Sequence, residues 1–162
     1  MRLEVVALSL LLCAAAQAKT FEGKVTRVSD GDTLWVVASG QTKPIKVRLQ
    51  GIDAPEICQP WGTQARDALR ARLLRQSVSV DVRARDDYGR SIARLTYNNE
   101  DVAAWLVSQG HAWSPRGRWD EGVYAAEQAA AKRSKSGLWR AAGADQGIEP
   151  RVWRKIRGAC KI

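Results

Sequence analysis

The 162-residue chain carries 26 lysines and arginines against 17 acids, a net charge of +9, with three cysteines and one histidine. That balance calls for a polyanionic partner, nucleic acid ahead of an anionic envelope surface, held by contacts that weaken with salt. A single imidazole argues against zinc hydrolase centres, serine triads and histidine-based chemistry, since His111 follows Ser-Gln-Gly at the end of a predicted helix and reads as structural.

The chain opens as an export signal. Arg2 precedes an apolar run from Val5 to Ala16, and Ala16-Gln17-Ala18 is a small-x-small cleavage site. The run is too short to span a bilayer, so no membrane anchor is expected. Cleavage removes one base and one acid, leaving the net charge unchanged. The expected organisation is a leader over 1–18, one domain over 19–140 and a basic tail over 141–162. Cys58 and Cys160 would then meet an oxidising compartment and are a disulfide candidate closing a loop of about 100 residues.

Phe21 to Val28 alternates apolar and polar residues and predicts a first strand. Thr33 to Val37 and Ile45 to Gln50 predict a second and third, joined by a turn at Ser39-Gly40. Strand alternation sends Ile45, Val47 and Leu49 to one face and Lys46, Arg48 and Gln50 to the other. Arg48 can therefore face Asp32, Asp53 and Glu56, acids at the bends flanking these strands, where Gly51 and Pro55 force a corner. Pro60 to Arg75 turns helical, with Trp61, Ala65, Ala68, Leu69 and Leu73 on one face. Val78 to Val82 and Arg90 to Tyr97 predict a hairpin whose turn presents Arg90, with Tyr88 available to stack on a base. Asp101 to Gln109 predicts a short helix, and a third helix is expected from an N-cap at Asp120 to Lys135. The tail has no strong periodicity and reads equally as a disordered nucleic-acid contact or as a strap pinned by Cys160.

Hard oxygen ligands from Asp32 and Asp53 suit calcium or magnesium better than zinc. A carboxylate beside such an ion and an arginine can activate water while positive charge meets a phosphate under attack. The same residues read one at a time are ordinary turn acids and a surface ion pair. An EF-hand is excluded, because counting from Asp30 the fifth loop position is Leu34 and the twelfth Gln41.

Taken in order, Asp-Gly-Asp-Thr at 30–33, Val-Arg-Leu at 47–49, Gly-Ile-Asp-Ala-Pro-Glu at 51–56 and Asp-Tyr-Gly-Arg at 87–90 resemble the staphylococcal nuclease family, also called thermonucleases. The resemblance runs from about Phe21 to Gly137-Leu138-Trp139. It implies an α+β fold, a five-stranded OB-type β-barrel with about three α-helices, and a calcium-dependent phosphodiesterase. That enzyme would cut DNA and RNA with little sequence preference and leave 3′ phosphates. Matched position by position, Asp32 and Asp53 correspond to calcium-binding carboxylates and Ala54 to a residue lending its carbonyl oxygen. Glu56 corresponds to the general base, and Arg48 and Arg90 to phosphate-binding arginines. The chain departs from the family's best-known member where two tyrosines cover the nucleotide, and Asp87 stands in place of a lysine. Arg116, Arg118, Trp113 and Trp119 are the candidate substitutes. The rival reading is a non-catalytic nucleic-acid-binding OB domain, which needs basic charge but not three acids repelling the phosphate.

Overall fold

The structure is a computed structural model and describes residues 19–118, 120–140, 147–158 and 160. The predicted leader and its cleavage site, Trp119, residues 141–146 and Lys161 lie outside the described residues.

The period-two segments form the strands they predict: β1 (Lys19–Val28), β2 (Thr33–Ala38), β3 (Pro44–Leu49), β4 (Ser77–Arg85) and β5 (Ser91–Tyr97), with a two-residue β6 (Glu100–Asp101) on the edge of β5. The sheet runs β3-β2-β1-β4-β5-β6 and closes on itself where β3 pairs in parallel with β5. Closure leaves a five-stranded barrel without an open edge and sends alternate residues inward. Val25, Leu34, Val36, Val47, Val80 and Leu95 fill that interior with no measurable exposure.

Four α-helices are described: α1 (Gly62–Leu73), α2 (Val102–Ser108), α3 (Ala125–Arg133) and α4 (Pro150–Arg157). The apolar stripe of α1 buries Ala65, Leu69 and Leu73 as its spacing predicts. Trp61 stands just before it as the N-cap, at φ +73°, half-buried. Its Nε1 donates to His111 Nδ1 at 3.1 Å, and burial lowers the pKa of that imidazole, so His111 serves as a neutral structural acceptor. Asp101 caps α2 by accepting from the amides of Ala103 and Ala104.

Two expectations change. Asp120 does not cap the third helix: its Oδ1 accepts from Gly117 and Gly122, closing a local turn, and the helix starts only at Ala125. The tail contains a further helix, α4, beyond the three expected. Pro150 and Trp153 are the buried residues of α4, whereas Val152 and Ile156, on the same side as Trp153, are exposed, and at eight residues the helix is too short for its apolar spacing to stand out in the sequence. Its end is fixed covalently instead, by a Cys58–Cys160 disulfide with Cα atoms 5.8 Å apart across 102 residues of sequence. A loop of that length is worth about 4 to 5 kcal/mol by the chain-entropy account.

Candidate active site

The acids sit on two bends brought together by backbone pairing. The Leu49 amide donates to the Asp32 carbonyl at 2.8 Å, while the Asp32 amide donates to Asp30 Oδ1 at 3.0 Å. The second bend is held from outside the barrel, where Asp53 and Trp113 exchange both backbone hydrogen bonds, at 3.0 and 2.9 Å. Glycine permits the approach of the two bends. A Cβ on Gly31 would lie 2.7 Å from the Ala54 methyl and 2.8 Å from that of Ala65, so only glycine lets the Asp32 bend press against the Asp53 bend and α1. Gly51, at φ +77°, makes the turn out of β3 that aims Asp53 back at the site.

Arg48 joins the two bends. Its Nη1 donates to Asp32 Oδ1 at 2.8 Å and its Nη2 to Asp53 Oδ1 at 2.9 Å. The Ala54 amide holds Asp32 Oδ2 at 3.0 Å, and Thr33 Oγ1 donates to Oδ1 at 2.9 Å. Asp32 is 3% exposed, and this burial, partly offset by Arg48, pushes its carboxyl up to about 7. Burial also works against the charge on Arg48, but Asp32 and Asp53 outweigh it and hold the guanidinium above its ordinary pKa.

The donor chemistry fits a hard cation. Two carboxylates converge on one guanidinium, which shows that they face a common point, and the Ala54 carbonyl lies on the same bend. Among the described residues no three or more His, Cys, Asp or Glu side chains are gathered as a metal site, so main-chain oxygen and water would complete the shell.

A stability prediction follows from Asp32. Its folded pKa lies above the ordinary 3.8, so the folded state gains from binding the proton, and that gain disappears as pH rises through about 7. In chelator at pH 8, Asp32→Asn is expected to melt at a higher temperature than the parent. The difference should shrink as pH falls through 7 towards 5. Melting curves across that range test it, and a lower melting temperature for Asp32→Asn at pH 8 would show the ionised carboxylate to be net stabilising.

Glu56 ends the second bend, and its side chain meets a residue that sequence reading assigned only to the basic tail. Arg154 of α4 donates from Nη1 to Glu56 Oε1 at 2.6 Å and from Nη2 to Asp53 Oδ2 at 2.9 Å, with a longer Nη1 contact of 3.3 Å to Asp53 Oδ1. Burial opposes the charge on Arg154, but the hydrogen bonds to Asp53 and Glu56 raise its pKa further above the ordinary arginine value. A signal for it existed in the cysteines: once Cys160 is joined to Cys58, two residues past Glu56, the helix ending shortly before Cys160 must pass close to the acids.

Arg90 is placed differently. It precedes Ser91, which pairs with Val47 beside Arg48, so it stands at the same rim. Its Nε donates to Asp86 Oδ2 at 2.7 Å within its own turn, and its guanidinium lies 5.4 Å from the Tyr88 ring. Tyr88 is 85% exposed and free to stack. From there an open groove of about 1010 Å³, lined by Phe21, Trp35, Ile45, Lys46, Arg85 and Tyr88, runs along the barrel. Trp35 pairs with Lys46 two pairs on from Thr33–Arg48 and on the same face, so aromatic and basic groups continue outward from the acids. No local pattern marks Trp35 or Lys46 as a nucleic-acid contact; alternation only places Lys46 on the face of Arg48.

Of the candidate nucleotide contacts, Arg116 and Arg118 are exposed, and Arg116 lies 3.8 Å from Glu121. Trp113 is not a stacking surface. It is 8% exposed, packs edge-on against Trp139 with ring centres 4.4 Å apart, and serves the site through its backbone pairing with Asp53.

Comparison with known proteins agrees with this geometry. Residues 46–141 match the model of the staphylococcal nuclease homologue family. The chain is 36% identical to protein ParB of Escherichia coli over 160 residues, covering 92% of this chain and 88% of that protein. It is 35% identical to a micrococcal nuclease of Shigella flexneri over 165 residues, covering 94% and 92%. An uncharacterized endonuclease of Haemophilus influenzae is 35% identical over 133 residues, covering 82% and 72%. The family model's match over residues 46–141 and the similarity of these relatives over most of their length place this chain, with its closed five-stranded barrel and clustered acids, in the staphylococcal nuclease family.

Proposed function

We propose that this nuclease is an exported, calcium-dependent enzyme that hydrolyses DNA and RNA with little sequence preference and leaves 3′ phosphates. The observation that carries the proposal is the two-handed grip of Arg48 on Asp32 and Asp53, with Glu56 on the same corner. A module that only binds nucleic acid has no use for three carboxylates at its phosphate-facing rim.

Asp32, Asp53 and the Ala54 carbonyl would hold the calcium ion, which when bound supplies positive charge to the phosphate and polarises water. Glu56 accepts a proton from the attacking water at a carboxylate oxygen. The water oxygen bonds to phosphorus in line with the 5′ oxygen, the bond from phosphorus to that oxygen breaks, and the departing alkoxide takes a proton from solvent. Arg48 and Arg90 neutralise the charge that builds on the non-bridging oxygens. The groove past Trp35, Lys46 and Tyr88 supports the flanking strand by stacking and charge, without reading base edges.

The test is digestion of plasmid and of single-stranded RNA by the purified protein, with calcium and with excess chelator. Cleavage of both, abolished by chelator and leaving ends that ligate only after removal of a 3′ phosphate and phosphorylation of a 5′ hydroxyl, is expected. Undiminished digestion in chelator would sink the calcium assignment. Export carries its own readout in the same preparation, an intact mass beginning at Lys19.

A further inference from the structure

We propose that Arg154 is a positioning residue of the active site, delivered by the C-terminal helix to hold the Glu56 carboxylate against Asp53. The proposal rests on the reading of Glu56 as the base and adds to it a part of the chain outside the barrel.

Three independent ties bind the tail to the corner that carries Glu56. Arg154 bridges Glu56 and Asp53 through both terminal nitrogens. Gln59, 5% exposed, accepts from the Glu56 amide through Oε1 at 3.2 Å and donates through Nε2 to the Ile148 carbonyl at 2.7 Å. Cys58 lies between Glu56 and Gln59 and bonds to Cys160. Trp153, 8% exposed, anchors α4 on the body beside Arg154. The backbone on either side of Glu56 and the helix that grips its side chain therefore form one unit.

Glu56 needs such a unit. It sits on a loop rather than a strand, its side chain is 26% accessible, and it lies next to Asp53, whose charge repels it. Arg48 holds the far side of Asp53, on Oδ1, and Arg90 is paired with Asp86. A planar fork reaching from Asp53 Oδ2 to Glu56 Oε1 cancels the repulsion and fixes the carboxylate in one place. At 38% accessible, the Arg154 side chain leaves this edge of the site open to water.

The experiment uses the oxidised full-length protein with Arg154→Ala, Arg154→Gln and Arg154→Lys, each alone and combined with Glu56→Gln. Turnover and KM are measured on single-stranded DNA at saturating calcium, calcium binding is measured by calorimetry, and melting curves check folding. Arg154→Ala is expected to lower kcat of the order of 10²-fold, the cost of a misplaced catalytic group, with KM changed only severalfold. Arg154→Lys should recover part of the loss, because charge returns without the fork. On the Glu56→Gln background Arg154→Ala should cost nothing further, since both changes disable one device. Calcium should bind Arg154→Ala at least as tightly as the parent, because Asp53 Oδ2 is released. If Arg154→Ala misfolds, the near-isosteric Arg154→Gln carries the same expectations.

Faster turnover in Arg154→Ala would make the tail an inhibitory strap and overturn the proposal. Losses that multiply with those of Glu56→Gln would assign Arg154 to the phosphate instead, and abolished calcium binding would reduce it to a support for Asp53. Either result overturns the proposal while leaving Glu56 as the base. A Glu56→Gln protein as fast as the parent sinks both readings, and shows it before Arg154 is altered.

Discussion

Arg48→Ala should abolish most of the nuclease activity, by about 10³- to 10⁵-fold if the guanidinium meets the transition-state phosphate as arginines do in phosphoryl transfer. The residue has two duties. In the free protein its nitrogens span Asp32 and Asp53, so removing it also leaves a buried carboxylate without its cation. Arg48→Lys separates the duties: it keeps a charge against Asp32 but cannot span both acids as a fork, and should restore folding stability more fully than rate. Nucleic-acid binding by Arg48→Ala should weaken, and its dependence on salt should flatten modestly. Rates on single-stranded DNA in calcium, read beside melting curves, decide the matter. A folded Arg48→Ala within tenfold of the parent would remove Arg48 from the chemistry and leave it a purely structural tie between the bends.

The strands and bends are legible because each rests on local rules, whereas barrel closure and the joint role of the acids come from the family resemblance. Period-two alternation marks Val25, Val36, Val47 and Val80 as inward, and Gly-Ile-Asp-Ala-Pro-Glu can only be a corner, so strands and bends follow from neighbours in sequence. The shift of the third helix from Asp120 to Ala125 comes from competition: an aspartate followed by Glu-Gly satisfies the amide of Gly122 as readily as a helix end. Trp113 was misplaced because an aromatic beside Ser-Pro-Arg-Gly reads as a loop contact. Its burial is decided by Trp139 and by the backbone of Asp53, 60 residues earlier, which no local pattern reports. Arg154 was hidden for the same reason in stronger form. α4 carries a short apolar side of Val152, Trp153 and Ile156 among four basic residues, but only Trp153 of the three is buried, so eight residues of pattern do not declare where the helix docks. Its placement comes from the Cys58–Cys160 bond, the Gln59–Ile148 contact, the ion pairs of Arg154 and the burial of Pro150 and Trp153 together, all of them made with residues distant in sequence.

Glu56→Gln separates catalysis from binding, because the two functions require opposite outcomes at this position. Loss of a general base typically costs about 10²- to 10⁴-fold, and glutamine keeps the volume and one acceptor oxygen while losing the ability to take a proton. The fold should survive, since Arg154 Nη1 can still donate to an amide oxygen and the backbone tie to Gln59 does not involve the altered group. Binding should move the other way. Removing a negative charge beside the scissile phosphate leaves Arg48, Arg90 and Arg154 less opposed, so single-stranded DNA should be held at least as tightly as by the parent. The pair of measurements is a rate in calcium and a dissociation constant at fixed salt. Slow cleavage with undiminished binding assigns Glu56 the proton. Cleavage at the parent's rate by a folded Glu56→Gln protein would transfer the proton to another group, whereas slow cleavage with binding lost in proportion would make Glu56 part of the binding surface and not the base.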